Sequence, residues 1–306
     1  MERAAERLRA DGVAITPEKA KSQPPLSRAR FRQPGDDGEA GGRASGTGAG
    51  PTAGQPAQPA PKRPHAPRVE IDASKLARHG LLTPTSMRSN LSEEVRLLKQ
   101  DVINNFLEAR APRSNLVMVT SPNPGEGKTF NVLNLAISLA CDPDFNILLV
   151  DADFARPQVC NYLGVPAREG LLDILANPGR DLGDVILRTS IEHLSLIPAG
   201  EIRDNSVELL RSQRMLTLAD ELAERYPDRI VLFDSPPLLA TVDPAVLAKR
   251  MGQVILVVEA ERTERADIEQ AIELLPEEAY LGLVLNKGSG FGASTYARHG
   301  YYRRTD

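Results

Sequence analysis

Lys128 and Thr129 close the run Pro122-Asn-Pro-Gly-Glu-Gly-Lys-Thr129, where an ammonium, a hydroxyl and two residues without a Cβ stand close together. Such a set suits a polyphosphate. Phosphate oxygens must meet several backbone N–H groups at once, and Gly125 and Gly127 let the backbone wrap closely. A helix that starts at the lysine turns its free N–H groups and positive dipole end toward the anion. Lys128 then reaches the β- and γ-phosphates, and the Thr129 hydroxyl is a ligand for Mg²⁺. The nucleotide-contacting stretch is therefore read as Pro124, Gly125, Glu126, Gly127, Lys128 and Thr129. The usual Gly-x-x-x-x-Gly-Lys-Thr spacing has Pro122 at its first position here.

Two further segments end apolar runs in acids. Ile147-Leu-Leu-Val-Asp-Ala-Asp153 supplies Asp151 and Asp153, two apart and so on one side of an extended chain. Beside a phosphate loop they can hold Mg²⁺ or orient an attacking oxygen. Arg229-Ile-Val-Leu-Phe-Asp234 supplies the third acid, a contact to Mg²⁺ directly or through water. The predicted metal set is Thr129, Asp151 and Asp234. The predicted catalytic set is Lys128, Asp151 and Asp153, with the order of the two Asp roles left open. Asn286, in Leu285-Asn-Lys287 after a last strand, is a candidate adenine contact.

These residues need a scaffold of alternating strands and helices. Leu116–Ser121, Asn146–Val150, Leu194–Pro198, Ile230–Phe233, Val254–Val258 and Tyr280–Leu285 read as short strands apolar on both faces. Thr129–Ala140, Val207–Arg225, Pro244–Met251 and Ile268–Leu275 read as helices between them. The class is α/β, a P-loop fold with a mostly parallel sheet sandwiched by helices. Before the loop, Val95, Leu98, Val102 and Phe106 recur at helical spacing, with Ser92 as the expected N-cap. Ile71, Leu76 and Leu81 suggest a docking segment ahead of a turn near Pro84.

The ends read differently. Residues 1–68 hold 12 Lys/Arg against 7 Asp/Glu, and residues 69–306 hold 25 against 34. A basic leader thus precedes an acidic body. Residues 2–10 could form a short helix, but the stretch from Gly35 to Pro67 is too rich in Gly, Pro, Ala and Ser to bury a core. The expected division is residues 1–68 as short helix plus disordered linker, 69–290 as the P-loop domain and 291–306 as a flexible tail. With no Trp and 4% aromatics, a base-stacking nucleic-acid surface is not expected. No apolar run of about 18 residues spans a bilayer. The charged N-terminus lacks the apolar core of a signal peptide, so the chain is expected in the cytosol. Cys141 and Cys160 have neither disulfide nor zinc spacing.

Taken together, the segments Ser121–Thr129, Val150–Pro157 and Leu232–Pro237 resemble the Walker A, A′ and B motifs of the bacterial tyrosine kinases. The resemblance covers about residues 70–306. It implies an ATP- and Mg²⁺-dependent protein-tyrosine autokinase in the control of exopolysaccharide or capsule chain length and export. It also implies a separate membrane partner, a chain-length determinant or polysaccharide co-polymerase, that activates the kinase and recruits it to the inner face of the plasma membrane. In that family an early helix carrying Glu-x-x-Arg-x-x-Arg mediates a ring. Glu93, Arg96 and Lys99 occupy those positions here, spaced to share a helix face. The polar, glycine-rich tail carries Tyr296, Tyr301 and Tyr302, which look like the family's autophosphorylated cluster. The opening Glu2–Leu8, the linker and Leu76–Pro84 look most like the autokinases associated with exosortase-type exopolysaccharide loci.

Two other readings compete. A MinD/ParA-type positioning ATPase shares the fold but uses Lys-Gly-Gly-x-Gly-Lys-Thr with a trans-acting lysine, and that position is Asn123 here. A nucleotide-binding switch that phosphorylates nothing is the second.

Overall fold

The computed structural model describes residues 67–86, 89–108, 111–166, 168–203 and 206–288. The expected helix at 2–10, the linker and the tail tyrosines Tyr296, Tyr301 and Tyr302 lie outside them. The strands are β1 (Arg68–Val69), β2 (Leu116–Thr120), β3 (Asn146–Asp151), β4 (Leu187–Thr189), β5 (Leu194–Ile197), β6 (Arg229–Asp234), β7 (Gln253–Glu259) and β8 (Tyr280–Asn286). The α-helices are α1 (Ala73–Arg78), α2 (Asn90–Leu107), α3 (Lys128–Ala140), α4 (Val159–Leu163), α5 (Leu171–Ala176), α6 (Ser206–Leu209), α7 (Gln213–Arg225), α8 (Asp243–Ala248) and α9 (Arg265–Glu273).

One sheet joins the strands in the order β1-β4-β5-β3-β6-β2-β7-β8, parallel throughout except for β4 against β5. Apolar residues fill both faces of each central strand, so alternate side chains enter separate cores. Val117, Val119, Ile147, Leu149, Ile230 and Leu232 share one core with Leu133 and Ile137 of α3. Leu116, Met118, Leu148, Val150, Val231 and Phe233 share the other with Leu171 of α5 and Leu218 of α7. Helix layers therefore close both faces of the sheet.

The register delivers the site. Asp234 lies beside Asp151 on one side and Val119 on the other, so β2, β3 and β6 end at one level. The docking segment holds as expected. Leu76, Leu81 and Leu82 are buried, the Leu82 N–H donates to Asn134 Oδ1 of α3 at 2.8 Å, and a turn follows at Pro84.

Several elements depart from the sequence expectation. The N-cap of α2 is Ser89, whose side chain accepts from the Ser92 N–H, because the helix begins at Asn90, more than a turn before the first apolar repeat at Val95. The expected helix 207–225 is two helices. Ser212 caps α7 by accepting from the Met215 N–H and donates to Leu209 O at 2.7 Å, turning the chain between them. Strands β1 and β4 and helices α4 and α5 carry too few residues for periodicity to reveal them.

Candidate functional site

The chain leaves β2 through Ser121–Glu126 and re-enters regular structure at Lys128. Gly127 caps α3 at φ +101 and Gly125 sits at φ +87, both left-handed values that favour glycine. The first-turn N–H groups of α3 have no helical acceptor, which leaves them for an anion. Glu126 is buried and braces the loop from within. It accepts from the Asn123 N–H at 2.9 Å and from the Thr263 hydroxyl at 2.5 Å. The Asn123 side chain donates to Asp267 of α9 at 2.7 Å. A cleft of about 280 Å³ lies beside this stretch, lined by Asn123, Pro124, Glu126, Glu259, Arg262 and Thr263. The segment after β6 ties in below, where the Leu238 and Leu239 N–H groups donate to Ser121 O and Pro122 O.

The acids gather at the same level. The Thr129 hydroxyl donates to Asp234 Oδ2 at 2.7 Å, and Lys128 Nζ stands 3.9 Å from Asp153 Oδ2. Asp151 Oδ2 accepts from the Val159 N–H at 3.2 Å, so the start of α4 fixes that carboxylate. Asp151 Oδ1 and Asp234 Oδ1 are buried with no hydrogen-bond partner. Two adjacent carboxylates out of water resist ionising together. Burial pushes Asp234 up to about 7, and the Asp153 charge adds to this against Thr129 and Lys128. Burial, then the charge of Asp234, raises Asp151 well above the usual carboxylate range. Burial also raises Asp153, opposed by the Lys128 ammonium.

Two unpartnered carboxylate oxygens beside a hydroxyl form an all-oxygen donor set suited to a hard divalent cation. Among the described residues no trio of His, Cys, Asp or Glu converges as a metal cage. Mg²⁺ takes one or two carboxylates and completes its shell with phosphates and water.

The structure brings Gly125, Glu126, Gly127, Lys128, Thr129, Asp151, Asp153 and Asp234 together, with Pro124 at the adjoining cleft. It places Asn286 on the loop itself, where its Nδ2 donates to Glu126 O at 2.8 Å. Sequence reasoning missed Thr263, Asp267 and Lys287. The Lys287 hydrogen bond holds the Glu259 carboxyl below its usual range. Leu285-Asn-Lys287, at the end of the last strand, was the signal for Lys287; Thr263 and Asp267 left none. On α2, Glu93 and Arg96 form an exposed pair at 2.9 Å. Lys99 does not join them. Its Nζ donates to Ser138 O at 3.1 Å and pairs with Asp142 at 3.4 Å, at the C-terminal end of α3. The Cys160 thiol, pushed up to about 11 by burial and then by Asp151, stays protonated.

Comparison with known proteins bears on this geometry. No sequence-family model matches the chain. It is 30% identical over 228 residues to the tyrosine-protein kinase YwqD of Bacillus subtilis, covering 74% of this chain and 92% of that one. The chain belongs to the bacterial tyrosine-protein kinase family. EpsB of Ralstonia solanacearum is 36% identical over 200 residues, 61% of this chain. The match spans 26% of that longer relative. Among solved structures, the kinase domain of the Escherichia coli tyrosine kinase ETK superposes with a TM-score of 0.56 at 28% identity. It covers 68% of this chain and 79% of that one. The family's P-loop fold is the one described above. Among the described residues no helix is long and apolar enough to cross a membrane.

Proposed function

We propose that this family member is an ATP-dependent protein-tyrosine autokinase acting in exopolysaccharide or capsule chain-length control and export. The observation that carries the reading is the Thr129–Asp234 hydrogen bond next to the unpartnered oxygens of Asp151 and Asp234, at the mouth of a glycine-turned loop. Thr129 spends its proton on Asp234, so its oxygen lone pairs remain for a cation. Thr129, Asp151 and Asp234 would hold Mg²⁺. When bound, that ion neutralises phosphate charge and orients the triphosphate.

The chain's own residues do the rest. The N–H groups at the start of α3 and the Lys128 ammonium bind the phosphates and take up charge as the β–γ bridging bond breaks. The incoming phenol oxygen forms the new bond to the γ-phosphorus, and its proton passes to a carboxylate. Asp153 suits this step, because burial has raised its proton affinity while Lys128 keeps it beside the phosphates. Asp151 is the other candidate. Tyr296, Tyr301 and Tyr302 are the proposed acceptors, reached in a neighbouring subunit. Self-association would use the exposed Glu93–Arg96 pair, with Lys99 committed to α3. A membrane chain-length protein is the proposed activator and would bring the kinase to the inner face of the membrane. The competing ATPase reading loses its lysine to Asn123, whose side chain is bonded within its own chain.

Incubation with ATP and Mg²⁺ followed by intact-mass measurement tests the proposal. Wild-type protein should gain phosphate, Lys128→Ala should gain none, and changing Tyr296, Tyr301 and Tyr302 to Phe should remove most of the gain. Unmodified wild-type protein, even with an activating partner's cytoplasmic segment added, would refute the kinase reading.

A further inference from the structure

A glycine-bearing loop can turn its peptide planes either way, but it binds phosphate only when successive N–H groups face inward. Three carbonyls set those planes. Lys287 Nζ donates to Gly125 O at 2.8 Å, and Asn286 Nδ2 donates to Glu126 O at 2.8 Å. Gly127 O accepts from the Asn131 N–H at 3.0 Å and from Asn131 Nδ2 at 2.9 Å. In a trans peptide the C=O of one residue and the N–H of the next point in opposite directions. Each carbonyl held on the outside therefore turns an N–H inward, those of Glu126, Gly127 and Lys128.

We propose that Lys287 and Asn286 are positioning residues that set the peptide orientation of the phosphate loop from behind, with Glu259 holding Lys287 in place. The pins have a rigid base. Glu259 ends β7 in register with Asn286 at the end of β8, and Lys287 Nζ lies 3.0 Å from Glu259 Oε2. Lys287 itself sits at φ +58, a left-handed turn uncommon for a residue with a side chain. The Asn286 side chain also fills the space over Gly127, where a Cβ would lie 2.0 Å from Nδ2. A charge-assisted hydrogen bond is about twice as strong as a neutral one, so of the two pins Lys287 should hold its carbonyl harder. The inference rests on the nucleotide reading of this loop.

The test separates phosphate from base. Binding of ATP, inorganic tripolyphosphate and adenosine is measured by calorimetry on wild type, Lys287→Met, Lys287→Arg and Glu259→Gln. Lys287→Met should weaken ATP and tripolyphosphate alike, by about tenfold for one lost charge-assisted hydrogen bond. Adenosine binding should not change. Glu259→Gln should show a smaller loss of the same kind, and Lys287→Arg should restore most of the affinity. Unchanged tripolyphosphate binding in Lys287→Met overturns the inference, as does a loss confined to adenosine, which would make Lys287 a base contact. Because Lys287 is half exposed, a melting curve without nucleotide should match wild type; a collapse there, with Lys287→Arg also failing, overturns the positioning role. Wild-type protein that binds neither ATP nor tripolyphosphate overturns the nucleotide reading itself.

Discussion

Asp234→Asn should make the protein more stable at neutral pH while abolishing phosphoryl transfer. Asp234 is fully buried between β2 and β3 and faces Asp151 across the ladder. Its folded-state proton affinity is raised from the usual 3.8 to about 7. At about 1.36 kcal/mol per tenfold change in proton affinity, the ionised carboxylate costs the fold about 4 kcal/mol at most. The sign follows from proton counts. Between about pH 4 and 7 the unfolded chain has already released this proton and the native chain still holds it. The unfolded state binds fewer protons there, so stability falls as pH rises through the window and levels off above it. The neutral amide removes that slope. It can still accept from Thr129.

The measurement is thermal melting in chelator of wild type and Asp234→Asn at about pH 5 and pH 8, chosen to bracket the folded value. About two pH units of that slope lie between pH 5 and the folded value, about 2.7 kcal/mol. A domain of this size shifts by about 2–4 °C per kcal/mol, so the variant's advantage should grow by roughly 5–10 °C between the two. In wild type, Mg²⁺ with ADP should recover stability more at the higher pH, because the cation competes with protons for the same oxygens. The variant should show little of this recovery and no phosphate gain. A melting difference between variant and wild type that is the same at both pH values refutes the argument.

Gly127→Ala should lose nucleotide binding and lower the melting temperature, since a Cβ at φ +101 would also meet Asn286 Nδ2 at 2.0 Å; a nucleotide affinity equal to wild type counts against the loop geometry. Ser89→Ala should cost about 1 kcal/mol in urea unfolding as a lost helix cap, and more than any capping effect of Ser92→Ala, since Ser92 does not cap α2. If nucleotide affinity changes along with it, α2 is coupled to the site more tightly than its cap suggests.

The sheet and the acids were legible because both rest on local signals. A short strand apolar on both faces is the mark of a parallel sheet covered by helices on each side, and Val117–Val119, Ile147–Leu149 and Ile230–Phe233 each announce one. An acid closing such a run falls at the carboxyl edge of the sheet, so Asp151 and Asp234 could be placed together before their register was known. Strand β4 was invisible for the opposite reason. Its three residues pair antiparallel with β5 and carry too short a pattern to read. The split between α6 and α7 hides inside a run whose apolar spacing stays helical, and Ser212 reads as a helix residue until its hydroxyl is seen capping Met215.

The same distinction explains Lys99 and Lys287. Residues at i, i+3 and i+6 are not one line on a helix, since six steps of about 100° leave the last about 120° from the first. Glu93 and Arg96 fall on the solvent side, and that rotation carries Lys99 to the edge facing α3, where the Ser138 carbonyl and Asp142 take its charge. A spacing rule supplies the rotation but not which edge of the helix is covered, and packing supplies that second quantity. For Lys287 the missing quantity was the meeting of two distant strand ends. Glu259 and Lys287 lie 28 residues apart, and the loop they secure is more than 160 residues upstream of Lys287. The chemistry of the site is thus written locally in Gly125–Thr129 and the strand-end acids, whereas the orientation of its backbone is set by residues whose place only the completed sheet defines.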